Sequence, residues 1–334
     1  MKKVLVIVLF VILGGASLAY LAYDWLLNDN VSAEDSISFY VQPETSVEQL
    51  TEDLTPYLMD AESFANIASA KGLEKPKPGH YIITPRMSNN DLVNTFRAGL
   101  QKPVRITFTS ANYPEEVAKK LADQVMISES EIWEQMQSLW GEDVIYHLIP
   151  NTYEVYWTLS AEDLCERLER ESKRFWNEKR LAQAESIGLT SEQVVVLASI
   201  VEKETAKRDE YNTVAGLYLN RLNKGWRLQS DPTVIYAKKL AEGRDIEIRR
   251  VLYADLKIDS PYNTYQNYGL PPSPIMVPDT EVINAVLRGS KHRYMYMCAN
   301  PDNPGYHAFA ETDAQHNANK QRYVKWLNRN KIYR

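Results

Sequence analysis

Two glutamates stand close together at the end of one apolar segment, and their directions differ. Read as a helix at about 100° per residue, residues 194–205 carry Val194, Leu197, Ala198 and Val201 on one stripe. Glu204 projects on that side, between Ile200 and Leu197 on the helical wheel, whereas Glu202 falls near the stripe's opposite margin and Lys203 faces away. A carboxyl group among apolar neighbours is costly to ionise, so its pKa rises. An acid that keeps its proton is what a glycosidic oxygen needs in order to leave. Periodicity alone leaves a second reading equally open: the stripe reaches solvent at the helix end, and Glu204 pairs with Lys207 or Arg208.

The elements around this helix can be read from their terminal signals. Thr190-Ser191-Glu192-Gln193 caps its start. A following helix carries Val214, Leu217, Tyr218 and Leu222 and stops at Gly225. Asp231-Pro232 starts another, with Asp231 capping and Pro232 in the first turn. A Pro- and Tyr-rich loop covers residues 260–278, and strands near residues 294–298 and 306–309 flank a turn-rich stretch. Thr312-Asp313-Ala314-Gln315 caps a last helix. Upstream, Ser160 begins a long helix with a heavily charged outer face.

Residues 36–99 form a separate small α+β unit with a strand over 37–41, a capping box at Ser46-Val47-Glu48-Gln49, a second helix capped by Asp60, a strand over 80–84 after Pro78-Gly79, and a helix from Ser88 that Gly99 ends. This β-α-α-β layout resembles a LysM-like module, a type that holds glycan; the alternative is a spacer without ligand. Residues 100–147 make a linking strand-helix unit, with Pro114 in a first helical turn and a capping box at Ser128. The main domain covers 148–334. The fold class expected is α+β throughout, with helices around a small sheet in the main domain.

Composition narrows the function. A net charge of -6 without a long basic run argues against nucleic acid. The five histidines form no HExxH pair, so neither a metal nor another cofactor is expected. Cys165 and Cys298 form no CxxC pair; Cys165 reads as a small buried thiol, and a disulfide between the two is left open. Lys2 and Lys3 precede a charge-free run over residues 4–23, about the length that spans a bilayer. The lysines hold the N-terminus in the cytoplasm, so residues 1–27 read as a cytoplasmic tip and single-pass anchor with the rest outside. The alternative is a cleaved signal peptide with Ser17-Leu18-Ala19 as its small-residue site.

The string Ala198-Ser199-Ile200-Val201-Glu202-Lys203-Glu204-Thr205 resembles the signature helix of the YceG-like (MltG) lytic transglycosylase family. More of the pattern follows in order: Asn220-Arg221-Leu222, the run from Leu228-Gln229-Ser230-Asp231 through Tyr236, Ser260-Pro261-Tyr262-Asn263-Thr264-Tyr265, Gly269-Leu270-Pro271-Pro272, Gly305-Tyr306-His307-Ala308-Phe309 and His316-Asn317. The likeness reaches from the anchor to the end and is strong from Leu197 onward. The chain departs from the family pattern at Ser273, where a Gly is usual, at Val277-Pro278-Asp279, and at Ile149-Pro150-Asn151-Thr152-Tyr153. These loop changes bear on substrate contacts.

The resemblance implies internal cleavage of peptidoglycan strands between N-acetylmuramic acid and N-acetylglucosamine, release of 1,6-anhydro-muramic ends, and termination of strand growth beside a peptidoglycan synthase. It implies Glu204 as the catalytic residue, the same one the helical wheel selects. Arg221 is expected to pair with a core carboxylate or to hold substrate. Gln229, Asp231, Tyr236, Asn263 and Tyr265 offer amides, a carboxylate and hydroxyls for sugar, and aromatic rings pack on sugar faces. His307, His316 and Asn317 are candidates to bond substrate or the catalytic carboxyl, with a purely structural bond as the alternative for each histidine. One carboxyl acting as acid and then base needs no second one, unlike the paired carboxylates of hydrolases. Two rival functions stand: a two-carboxylate muramidase, drawing on Asp231 or Glu202, and a catalytically silent wall-binding scaffold.

Overall fold

The computed structural model describes residues 12–15, 17, 20, 23–248, 250–289 and 291–330. The chain divides into two compact units. One comprises Met1–Ile106, Gln124–Ile127 and Tyr153–Ser160, and the other Thr107–Asp123, Ser128–Thr152 and Ala161–Arg334. The stretch 100–147, expected as a linking piece, is thus shared out, most of it to the larger unit.

In the smaller unit, β1 (Ile37–Val41) pairs antiparallel with β2 (Gly79–Ile83), with Phe39 opposite Tyr81. Between them lie α1 (Val47–Leu54) and α2 (Ala61–Ala70), and α3 (Asn89–Ala98) follows. The order is β-α-α-β and then a helix. Every second residue of β1 and one stripe of each helix meet in a core of Phe39, Val41, Leu50, Leu54, Phe64, Ile83 and Phe96. Tyr81 is fully buried there but donates its hydroxyl to Lys77 O at 2.7 Å, and burial pushes its pKa up to about 12. The box at Ser88 is complete, with Asp91 bonding back. At Ser46 only half of the expected box forms, because Gln49 turns its amide to Asp53 at 2.9 Å. Gly99 closes α3 at φ +72, a left-handed conformation that costs glycine little.

In the larger unit the helices are α4 (Pro114–Ala122), α5 (Glu129–Trp140), α6 (Val144–His147), α7 (Ala161–Phe175), α8 (Glu178–Ser186), α9 (Ser191–Glu204), α10 (Tyr211–Asn223), α11 (Asp231–Glu242), α12 (Thr280–Arg288) and α13 (Asp313–Arg329). The division between the units runs through β3 (Val104–Phe108) and β4 (Asn151–Val155), which pair with each other. The strands expected near residues 294–298 and 306–309 form the small sheet, a two-stranded hairpin of β5 (Tyr296–Ala299) with β6 (His307–Ala310). The core is helix on helix: α9 packs on α10 and α12 through Val194, Leu197, Val201, Val214, Leu217, Val282 and Val286.

The wheel's stripe on α9 is corrected. Every residue from Val194 through Val201 is buried, so the helix has no solvent face there. Its one polar residue in that stretch, Ser199, donates to Val196 O at 2.7 Å and accepts from Ile275 N at 3.0 Å, as a buried hydroxyl must. Cys165 is buried and Cys298 half-buried, and both are free thiols. The expected membrane span over residues 4–23 falls largely outside the described residues. Among the described residues no single helix is long and apolar enough to cross a membrane.

Candidate active site

Glu204 is the last residue of α9, and Thr205 leaves helical geometry at φ -142. Its direction follows from the helix, which is anchored at its other end by a complete box between Thr190 and Gln193. The side chain keeps some exposed surface, yet protein atoms pack closely around the carboxyl. Burial pushes its pKa above the usual 4.5, against the pull of hydrogen bonds from Ser230 and Tyr218; the nearby Asp231 charge adds to the rise and His307 opposes it. A position at the negative end of the helix dipole also disfavours a carboxylate.

Both hydrogen bonds fall on one oxygen. Tyr218 Oη donates to Oε1 at 2.6 Å, and Ser230 Oγ donates to the same atom. Tyr218 lies on α10 and is fully buried; burial and the adjoining Glu204 raise its pKa well above 10.0, so the phenol keeps its proton and remains a donor. Among the described residues no hydrogen bond reaches Oε2, and Oε2 is not one of the buried polar atoms left without a partner. A neutral carboxyl in this setting accepts twice at Oε1 and presents the O–H of Oε2 outward.

The segment that carries Ser230 is held on both sides. Arg221, buried on α10, donates through Nε to Met295 O at 2.8 Å and through Nη1 to Leu228 O. Its expected carboxylate partner is absent among the described residues, and its guanidinium instead ties β5's approach to the turn before α11. Gln229 adopts φ +51, uncommon for a residue with a side chain, and donates its N–H to Thr264 O at 3.1 Å. Ser230 N donates to Thr264 Oγ1 at 3.0 Å, and Thr264 Oγ1 meets Thr233 Oγ1 at 2.8 Å. The left-handed step at Gln229 thus reverses the chain and delivers the Ser230 hydroxyl to Glu204, while the Gln229 side chain stays exposed.

Asn263 is wholly buried and spends its amide on Leu256 O and Ile258 O at 3.1 and 2.8 Å, so it shapes the loop and is not available to sugar. Asp231 was expected to cap α11. Ser230 occupies the cap position instead, without a side-chain cap bond, and the Asp231 carboxylate accepts from Tyr265 Oη at 2.6 Å. Tyr236 packs against Tyr262 with ring centroids 4.9 Å apart, and burial pushes its pKa up to about 12.

Two other carboxylates approach the end of α9. Glu210, 6% exposed, accepts from Thr205 Oγ1 at 2.9 Å and from His307 N at 2.8 Å, and its Oε2 lies 3.0 Å from His307 Nδ1. His307 therefore bonds Glu210 and not Glu204. Glu202 accepts from Asp279 N at 2.7 Å, which pins the start of α12; its pKa is raised by burial, with that amide and Ser110 opposing. His316 stacks on Tyr296 at 5.0 Å, its buried Nδ1 has no hydrogen-bond partner among the described residues, and burial lowers its pKa. Asn317 donates to Asp313 at 2.7 Å. Neither His316 nor Asn317 bonds the Glu204 carboxyl.

Sequence reasoning missed Tyr218, Ser230 and Glu210. Tyr218 was read as a core residue of its helix, and Ser230 as a member of a motif without a role. Ser230 lies inside a block quoted above and Tyr218 two residues before another, and a hydroxyl among the apolar positions of α10 was the signal available. Among the described residues no cluster of three His, Cys, Asp or Glu side chains could hold a metal ion.

The YceG-like family model matches residues 39–322. A curated relative from Bacillus subtilis, named Endolytic murein transglycosylase, is 38% identical over 136 residues, 41% of this chain and 36% of its own length. A relative of the same name from Streptococcus pneumoniae serotype 2 is 27% identical over 296 residues, 78% of this chain and 53% of its own. The chain thus spans about half or less of the length of these curated relatives. A solved structure of a yceG-like protein from Listeria monocytogenes superposes with a TM-score of 0.53 over 86% of this chain and 99% of that one, at 24% identity, a likeness of fold. With a match that runs from the first strand to the last helix, this chain belongs to the YceG-like family.

Proposed function

We propose that this protein is an endolytic lytic transglycosylase that cuts peptidoglycan between N-acetylmuramic acid and N-acetylglucosamine, with Glu204 as its single catalytic acid and base. The observation that carries the reading is the buried Glu204 carboxyl, with Tyr218 and Ser230 both on Oε1 and Oε2 left open. Protonated Glu204 gives its Oε2 proton to the glycosidic oxygen, and the bond from that oxygen to the anomeric carbon of the muramic residue breaks. The carboxylate formed is stabilised by the two hydroxyl donors, then takes the proton from the sugar's own 6-hydroxyl. That oxygen closes on the anomeric carbon, leaving a 1,6-anhydro end and a Glu204 protonated as at the start. A hydroxyl held in place has a large advantage over free water, on the order of 10⁵ M in effective concentration for well-oriented cases.

The name shared by the curated relatives supports this activity. A membrane anchor over residues 1–27, a catalytic domain on the outer side of the cytoplasmic membrane, a glycan-holding role for the small module over residues 36–99, and work beside a peptidoglycan synthase belong to the same proposal. So do substrate contacts by Gln229, Asp231, Tyr236 and Tyr265 around Glu204. The hydrolytic alternative would need a second carboxylate, and Asp231 is the candidate whose charge reaches Glu204. Mass spectrometry of a digest of purified sacculi in oxygen-18 water separates the two. Muramic ends lighter by one water are expected; incorporation of the heavy oxygen would make the protein a muramidase.

A further inference from the structure

Beside the last turn of α9 lies a groove of about 130 Å³ whose lining includes Asn112, Tyr113, Lys203, Pro232, Tyr236 and Lys239. Two of its lining residues neighbour the site residues along the chain: Lys203 precedes Glu204 in the helix, and Pro232 follows Asp231. Two lysines therefore line one small space, in a chain whose net charge is -6.

Two of the neighbouring cations are already matched by carboxylates. Arg244 stacks over the Tyr113 ring at 4.3 Å and pairs with Glu115 at 2.8 Å. Glu116 accepts from Asn112 N at 3.0 Å. Lys238, one residue before Lys239, pairs with Asp255 at 2.7 Å. Lys203 donates to the neutral Asn112 Oδ1 at 2.6 Å, and among the described residues the Lys239 ammonium has no ion-pair or hydrogen-bond partner. Burial pulls the Lys203 ammonium below its usual value; Glu202 and Glu116 oppose this, and the like charge of Lys239 adds to it. An anion placed between the two amines would relieve that repulsion, and rings on one wall suit the apolar atoms that carry it.

We propose that this groove is a subsite for a carboxylate borne by the glycan strand, gripped by Lys203 and Lys239 with Tyr113 and Tyr236 against the adjoining apolar atoms. The inference rests on the transglycosylase reading. The carboxylate has two sources on such a strand: the lactyl group of a muramic residue stripped of its peptide, or an acid group on an attached peptide stem.

The test uses Glu204→Gln protein, which binds without cutting, and three probes: an N-acetylglucosaminyl-N-acetylmuramic acid oligomer with free lactyl carboxylates, the same oligomer with those groups amidated, and the oligomer carrying peptide stems. Lys239→Gln added to Glu204→Gln is expected to weaken the charged probe about tenfold or more, and to leave the amidated probe within about twofold. Lys239→Arg should keep most of the affinity. Loss on the free lactyl probe identifies that source, and loss confined to the stem-bearing probe identifies the stem. Unchanged affinity for both charged probes, or an equal loss on the amidated one, overturns the subsite. The catalytic reading fails separately, if Glu204→Gln still cuts sacculi.

Discussion

The surroundings of Glu202 and Glu204 lie two residues apart on one helix turn and make opposite uses of a buried carboxyl. Around Glu202 the partner that matters is a backbone amide, Asp279 N, and the bond fixes where α12 begins. Around Glu204 the partners are two side-chain hydroxyls from α10 and from the turn before α11, both on one oxygen. Burial raises both pKa values, so a raised pKa does not by itself mark the acid. What separates them is the kind of partner: a backbone amide that begins a helix for Glu202, two hydroxyl donors on one oxygen for Glu204. Glu202 is committed to holding the fold, whereas Glu204 keeps one oxygen for a substrate.

The comparison breaks first at Glu204. Glu204→Gln should lower cleavage of sacculi by about 10³-fold, the usual weight of a proton donor. It should not destabilise the fold at neutral pH. The folded chain holds the Glu204 proton above the usual 4.5, where the unfolded chain has lost it. Stability therefore falls as pH rises from that usual value through the raised one. Gln removes this slope, so its melting temperature should exceed that of the parent at neutral pH and match it in acid. A variant that cuts normally would end the assignment.

Glu202→Ala tests the other surrounding and should act on stability. It strands the Asp279 amide, costing about 2 kcal/mol in denaturant unfolding, while cleavage at a temperature where the variant is folded stays within a few-fold of parent. A loss of cleavage as large as that of Glu204→Gln would mean that the two carboxyls work as a pair.

Tyr218→Phe sharpens the claim that the hydroxyls tune the acid. About a tenfold fall in rate is expected for one lost bond to the developing carboxylate. That bond holds the Glu204 pKa down. Without it the proton is kept to higher pH, so the alkaline fall of kcat should move upward. A profile shifted downward, or unmoved, would show that Tyr218 serves packing alone. The smallest effect is expected of Glu202→Gln, which keeps an acceptor for Asp279 N: about 0.5 kcal/mol of stability and unaltered cleavage.

Much of the local structure was legible because its causes are local. The helix starts at Ser88, Ser128, Thr190 and Thr312 appear as read, and at each a capping box closes within four residues. Ser46 shows the limit, since Gln49 had a competing partner in Asp53 one turn on. The wheel on α9 selected Glu204 over Glu202, but its premise of a single buried stripe did not hold, because α10 and α12 cover the helix on the other sides. Arg221 could be seen as half-buried from its spacing; that two backbone carbonyls would take its guanidinium could not.

The sequence by itself determined where helices start and stop, which residues are apolar, and that a carboxyl stands at the end of an aliphatic helix. These follow from spacing and from the chemistry of neighbours along the chain. Only the tertiary structure decided which hydroxyls meet that carboxyl. Tyr218 lies 14 residues away and Ser230 lies 26 away. Likewise it paired Glu210 with His307 across 97 residues, and it turned the chain through a left-handed Gln229 so that Ser230 faces inward. Such contacts depend on how helices and loops distant in the chain come to share one space, which no local period encodes.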